Sequence, residues 1–158
     1  MAWTNSKVFR AAVADMLGNV TPMDLDADTF KVALFNDTPT PDQDVTSAQS
    51  AYAAAGSQWV TANEVSQAGQ WAAGGVALTS QTLNSGTPGV VFFDAADTAS
   101  GSAATLADVY GALVYDDSLT APVADQGLSF NYFGGANAVT NGTFTVIWAS
   151  TGIVRFTL

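Results

Sequence analysis

Apolar residues near the N-terminus recur at helical spacing. The segment NSKVFRAAVADMLG, residues 5–18, places its valine, phenylalanine, methionine and leucine side chains on one side of a helix. This predicts a short amphipathic helix with Asn5 or Ser6 as its N-cap and Gly18 at its end. We therefore expect residues 1–20 to form an N-terminal helical segment.

The pattern changes to that of β-strands after residue 28. TFKVALFN, residues 29–36, alternates apolar and polar positions and is rich in β-branched and aromatic residues. Clusters of turn-forming residues separate six later segments of similar character, which are GVALTSQTL, GVVFFDA, ADVYGALVYDD, GLSFNYF, GTFTVIWA and GIVRFTL. About seven strands predict a mainly β fold, an antiparallel β-sandwich of jelly-roll-like or Ig-like type with a short N-terminal helix.

Some of these segments, such as VVFF and YGALVY, are apolar on both faces. We expect their sheets to be covered on both sides, by a second sheet, by the N-terminal helix or by another subunit. The last two segments predict a hairpin. In it, Phe144, Val146 and Trp148 share one face, and the turn ASTG leads into residues 153–158.

The length of 158 residues fits a single domain that spans residues 1–158. Within it we expect a β core over residues 29–158, with a loop and helical insertion at about residues 37–57. DTPTPDQDVTS contains closely spaced turn formers, and SAQSAYAAAG, residues 47–56, predicts about two helical turns.

The chain contains no cysteine and no histidine. Disulfides, thiolate metal sites, histidine-ligated zinc and catalytic triads that use histidine are therefore excluded within one chain. Four cations stand against fourteen acids, for a net charge of -10. This disfavours binding to nucleic acid or to an anionic membrane. We expect no enzyme activity and no cofactor.

Hydropathy points towards contacts with other chains. Apolar residues make up 48% of the sequence and charged residues 11%, with a mean hydropathy of +0.21. A surface of such low charge favours subunit contacts, although abundant alanine and glycine raise the mean hydropathy in the same way. No apolar run has the length of a signal sequence or a transmembrane helix, so we expect a soluble protein that is not exported by the general secretion route.

The segment GQWAAGGV, residues 69–76, has the glycine spacing of a phosphate-binding P-loop. Gly75 and Val76 stand where the P-loop has its lysine and its hydroxyl residue, so the groups that contact phosphate and Mg²⁺ are missing. We interpret Gly69, Gly74 and Gly75 as a structural turn that leads into a strand, because glycine permits positive φ and close backbone approach.

Acidic residues cluster in predicted turns. DLDAD resembles the start of a calcium loop but lacks the glycine and glutamate that an EF-hand needs, which leaves a looser Ca²⁺ site as an alternative to solvated turns. The candidate ligands for such a site are Asp24, Asp26 and Asp28, or Asp116 and Asp117. Glu64 is the only glutamate. With no partner visible for acid–base catalysis, a structural hydrogen bond or ion pair explains it better.

Candidate interface residues come from two parts of the chain. Trp59 and Trp71 flank the glycine segment, where they suit either a sugar-stacking platform or aromatic anchors of a protein interface. Trp3, Lys7 and Arg10 lie in the N-terminal segment, whose helix is too short to be stable alone and which carries half of the cations. We expect this segment to contact another subunit and to be separable from the β core.

Four segments, in this order, resemble small virion proteins of tailed bacteriophages, some of which are head decoration or minor capsid proteins. The usual Gly-Tyr before the Gly-Gly pair appears here as Gly69-Gln70-Trp71. The segments are D-x-D-T-x-K-V-A-L (26–34), N-E-V-S-x-x-G-x-x-A-G-G-x-x-L (63–78, with one extra residue in its spacing), A-L-V-Y-D-D (112–117) and G-T-F-T-V-x-W-x-x-x-G-I-V-R-F (142–156).

The resemblance implies a capsid decoration, or cement, protein. Such a protein is made in the cytoplasm of the bacterial host, binds the major capsid protein on the outer surface of the shell and is commonly a homotrimer. The resemblance implies no catalytic residues. Two alternatives remain open at this point: a tail component, such as a tube, fibre or baseplate protein, and a carbohydrate-binding adhesive module.

Overall fold

The computed structural model describes residues 3–158. The predicted fold class is confirmed, since the chain is mainly β, with 38% strand and 10% helix, and its sheets are antiparallel. The helices are α1 (Arg10–Leu17) and α2 (Ser47–Ser50), with a single 3₁₀ turn at Thr61–Asn63. The strands are β1 (Lys7–Val8), β2 (Phe30–Phe35), β3 (Val76–Ala77), β4 (Thr82–Asn84), β5 (Val90–Asp94), β6 (Thr98–Ala99), β7 (Ala104–Asp116), β8 (Gly127–Gly142), β9 (Thr145–Val146) and β10 (Val154–Thr157).

Two sheets of unequal size face each other. The larger has the strand order β1-β8-β7-β2-β3, and the smaller has the order β10-β5-β4. An inter-sheet core fills the space between them, where the rings of Phe30 on β2 and Phe93 on β5 lie 5.2 Å apart. Alternation along β2 directs Phe30, Val32 and Leu34 into this core.

An aromatic core covers the opposite face of the larger sheet. Ala33 and Phe35 of β2 and Leu113 of β7 point into it, because neighbouring residues of a strand face opposite sides. The covering side chains come from the N-terminal segment and from the loop before the 3₁₀ turn. These side chains are Trp3, Phe9 and Trp59, and they pack with Phe130 of β8 in tilted and edge-on ring contacts 5.4–6.3 Å apart. YGALVY of β7 is therefore covered on both faces, by the inter-sheet core on one side and by this cluster on the other. VVFF of β5 lies in the smaller sheet, where Val91 and Phe92 are only half-buried, so the expected cover on both faces was wrong for this segment.

The N-terminal segment belongs to the fold. Lys7 and Val8 pair with β8, and Phe9 donates its N–H to the Leu128 carbonyl at 3.0 Å, so the helix starts only at Arg10. The prediction of Asn5 or Ser6 as N-cap was wrong, because β-pairing holds this stretch extended and Phe9 occupies the N-cap position. The expected separability of the segment is also contradicted, since Trp3 and Phe9 are fully buried.

β7 and β8 form a long antiparallel ribbon that β6 and β9 extend at its far end. The predicted terminal hairpin was wrong: β9 pairs with β6, and β10 pairs with β5.

The predicted strand GVALTSQTL is divided into β3 and β4, which lie in different sheets. Between them, Ser80 has a φ of 54°, which turns the chain.

The segment of residues 37–57 is mostly loop, as expected, but its helix is shorter than predicted. A capping box between Thr46 and Gln49 starts α2, which ends at Ser50. Ala53 then adopts a φ of 54°, outside the helical range. This turn places Tyr52 beside the residues that form the candidate site.

Candidate functional site

The glycine segment forms a tight turn against β2. Gly69, Gly74 and Gly75 have φ values of +75°, +85° and +83°, a conformation that favours glycine. At Gly75 a Cβ atom would overlap the Val32 carbonyl. Positive φ and close backbone approach are the two properties expected if GQWAAGGV is a structural turn.

The turn binds the carboxylate of Glu64. The backbone N–H of Gly74 donates to Glu64 Oε1 at 2.8 Å, and the Tyr52 hydroxyl donates to Oε2 at 2.6 Å. Backbone N–H groups at a glycine turn form a concave donor surface that suits an anion. The chain's own glutamate fills this surface, where a P-loop would hold a phosphate.

A second tyrosine closes the arrangement, which we call the Glu64 network (Tyr52, Glu64, Gly74 and Tyr115). Tyr115 donates its hydroxyl to the Gly74 carbonyl at 2.6 Å. Its ring stacks on that of Tyr52, with centroids 4.8 Å apart and an interplanar angle of 9°. Three hydrogen bonds and one ring stack thus hold together four residues from separate parts of the chain.

Burial sets the protonation of the Glu64 network. Desolvation raises the pKa of Glu64 above its ordinary value, while the bonds from Tyr52 and from Gly74 and Gly75 act in the opposite direction. Burial is also the main cause that raises the pKa of Tyr52 and of Tyr115. Both hydroxyls therefore keep their protons and act as donors within the Glu64 network.

A second polar cluster lies at the end of β7. Asp116 is fully buried, and its Oδ1 accepts from the N–H groups of Ser118 and Leu119 at 2.9 and 3.2 Å. With both carboxyls ionised, its Oδ2 has no hydrogen-bond donor within residues 3–158. Burial, the hydrogen bond to the Asp28 carboxyl and the charge of Asp28 raise the pKa of Asp116 to about 6. A proton on Asp116 can be donated to the Asp28 carboxyl, which gives Oδ2 a hydrogen-bond partner.

The other acids of the proposed calcium sites make local contacts. Asp24 Oδ1 accepts from the N–H of Asp26 at 3.0 Å, as in an Asx-turn. Asp117 forms an ion pair with Lys31 at 2.8 Å. Within residues 3–158, no group of three or more acidic residues is placed to hold a metal ion.

The tryptophans named as interface candidates are all internal. Trp3, Trp59 and Trp71 have no exposed surface. Trp3 and Trp71 donate their ring N–H groups to the carbonyls of Asn36 at 2.9 Å and Val32 at 3.2 Å. The expectation that they anchor an interface or stack on sugars is corrected, because each ring closes a core. Trp148, expected in the core, packs against it half-buried.

Sequence reasoning did not find two of the surface depressions. The α1 groove, of about 320 Å³, has only apolar residues in its lining: Val13, Met16, Leu17, Leu25, Leu83, Val91, Phe156 and Leu158. The Lys7–Arg155 cleft, of about 250 Å³, lies between β1 and β10. Lys7 and Arg10, the charged interface candidates, are exposed. Lys7 shares the cleft with Arg155. The two residues are far apart in sequence, so no local sequence pattern indicates that they lie together.

None of the helices in residues 3–158 has the length and apolar character needed to cross a membrane. Comparison with protein-family models, with curated proteins and with solved structures finds no match for this chain.

Proposed function

We propose that this protein is a non-enzymatic structural component of a bacteriophage virion, a capsid decoration protein that binds the outer surface of the shell and stabilises it. The partner in this role is the major capsid protein, and the protein acts as a homotrimer. It is made in the host cytoplasm and needs no cofactor.

One observation carries the proposal. Three of the four segments that resemble phage virion proteins, residues 26–34, 63–78 and 112–117, lie side by side in the larger sheet and the Glu64 network. Tyr115 bonds to the Gly74 carbonyl, and Lys31 and Tyr115 are paired across β2 and β7. The resembling residues thus contact one another within the fold, and a role in holding the fold together is what a family of structural proteins would share.

The surface supports the same role. The α1 groove leaves Leu17 and Leu158 exposed by 84% and 89%, and large apolar side chains grouped on a surface are typical of protein contact sites. A net charge of -10 keeps the protein from adhering to the packaged genome. Burial of such a surface on a shell would add to the stability of both partners.

Cryo-electron microscopy of the virion that contains this protein tests the proposal. We expect density for the chain on the outer surface of the capsid, next to the major capsid protein. Particles that lack the protein should lose their DNA at a lower temperature, and added purified protein should restore the difference. Density confined to the tail would contradict the proposal.

A tail tube subunit is the principal alternative outcome. A tube protein forms six-membered rings, so hexamers in native mass spectrometry would favour the tail. The carbohydrate-binding alternative rested on exposed tryptophan rings, and Trp59 and Trp71 are buried.

A further inference from the structure

The Lys7–Arg155 cleft brings two cations together on a strongly acidic protein. Ser6, Ser129 and Asn131 line the cleft with them, and its apolar wall consists of Val8, Ile153 and Val154. Both Lys7 and Arg155 are exposed. The cleft is therefore an accessible polar surface with positive charge on two of its sides.

These two cations differ from the other two of the chain. Arg10 pairs with Asp44 at 3.4 Å and Lys31 with Asp117 at 2.8 Å. Lys7 and Arg155 form no ion pair with any acid in residues 3–158, although the chain has fourteen acids. Two like charges that share a cleft repel each other, and an anion between them would remove this repulsion. The cleft is thus complementary to carboxylates that the chain itself does not supply.

The strands beside the cleft are sheet edges. Among residues 3–158, β1 pairs with β8 alone in the larger sheet, and β10 pairs with β5 alone in the smaller sheet. An edge strand has backbone groups without a partner strand on one side, and an extended peptide can add to it. The occupant that fits these edges is an extended polypeptide segment.

The α1 groove lies next to the cleft along β10. Phe156 and Leu158 line the groove, while Val154 and Arg155 line the cleft. Residues 6–8 also line the cleft, and Val13, Met16 and Leu17 of α1 also line the groove. A segment that follows β10 would therefore meet first positive charge and then an apolar groove. The groove can accept apolar side chains from that segment.

We propose that this surface docks an extended acidic segment of a different protein, with carboxylates at Lys7 and Arg155 and apolar side chains in the α1 groove. The two unpaired cations of the cleft complement carboxylates, and the adjoining apolar groove complements apolar side chains of the same segment. The inference does not depend on the capsid role, since a tail component could use the same surface.

A synthetic peptide tests the proposal. It has about ten residues, alternating glutamate and threonine and ending in two leucines, and the comparison peptide has glutamine in place of glutamate. We expect saturable binding of the acidic peptide by nuclear magnetic resonance titration, with shifted amide signals at Ser129, Asn131 and Phe156. Added salt should weaken the binding.

Charge variants locate the site. Replacement of both cations, Lys7→Gln with Arg155→Gln, should weaken binding about tenfold. Arg10→Gln makes a matched control, because it removes a cation of the same segment outside the cleft and should change affinity less than about twofold. Circular dichroism of each variant shows whether the fold is kept.

Four results would overturn the inference. The glutamine peptide could bind as tightly as the acidic one, or Arg10→Gln could weaken binding as much as the double replacement. Inorganic phosphate could bind in the cleft as tightly as the peptide, which would identify a simple anion site. Sedimentation could instead reveal a dimer that the double replacement dissociates, which would make a second copy the occupant.

Discussion

The backbone N–H of Gly74 donates to Oε1 of Glu64 across 2.8 Å, so the only glutamate of the chain fills the glycine turn. The P-loop spacing of GQWAAGGV thus has an internal explanation. Backbone N–H groups that point into one turn favour an anion. In this protein the anion is the carboxylate of Glu64, ten residues before Gly74.

Gly75→Ala should destabilise the protein strongly. The added Cβ would overlap the Val32 carbonyl and would also sit at positive φ, so we expect a loss of about 3 kcal/mol in the free energy of unfolding. Gly69→Ala is the matched control, because Gly69 has positive φ but open space around it, and it should cost about 1 kcal/mol. Urea denaturation measures both, and equal losses would contradict the predicted overlap.

Tyr52→Phe should weaken the Glu64 network. It removes one of the donors to a half-buried carboxylate, at a cost of about 1.5 kcal/mol. Tyr110→Phe is a suitable control, because no hydrogen bond of the Tyr110 hydroxyl is found within residues 3–158. A double-mutant cycle of Tyr52→Phe with Glu64→Gln should give a coupling energy above about 0.5 kcal/mol. Additive effects would mean that the bond contributes nothing.

Stability should fall as the pH rises through the titration of Asp116. Its pKa is raised from 3.8 to about 6, so the folded protein binds a proton that the unfolded chain releases between these values. The free energy of unfolding therefore decreases from about pH 4 to about pH 6, by on the order of 2 kcal/mol, and then levels off. Urea denaturation across this range measures the decrease.

Asp116→Asn should remove this part of the pH dependence and raise stability above pH 7. Asparagine can accept from Ser118 and Leu119 and can also donate to Asp28 without a shared proton. Asp26→Asn alters an exposed acid of the preceding turn and should leave the slope unchanged. If Asp116→Asn and the parent protein have parallel pH profiles, the shared proton is refuted.

Trp71→Phe should cost more stability than Trp59→Phe. Both rings are fully buried, and each change leaves a similar cavity. Only Trp71 has an acceptor for its N–H, the Val32 carbonyl, whereas Trp59 Nε1 has none within residues 3–158. We expect a difference of about 1 kcal/mol in thermal or urea unfolding. The opposite order would show that ring packing outweighs the hydrogen bond.

The sequence was sufficient to predict most strands but few of their partners. β2 follows from local alternation, and β5 and β7 follow from short runs rich in β-branched and aromatic residues, which each segment carries by itself. β9 was assigned to β10 because they are neighbours in sequence, yet the β7–β8 ribbon carries β9 to β6. Pairing of this kind depends on distant residues, which local patterns do not encode.

The candidate site was predicted in part. The structural role of Gly74 and Gly75 followed from the missing phosphate-binding residues. Tyr52 and Tyr115 could not be assigned to Glu64, because only the positive φ of Ala53 and the register of β7 against β2 bring them there. The tryptophans were misplaced for a related reason, since polar neighbours in sequence do not show which way a ring points in a loop.

The aromatic core also sets an order for folding. β7 and β8 meet across one loop, so this ribbon can form early, whereas β1 must pair with β8 across most of the chain. During synthesis, Trp3 and Phe9 remain without their partner ring until Phe130 has left the ribosome. The apolar N-terminal segment is thus the part of the nascent chain that stays exposed longest, and chaperone binding should concentrate there.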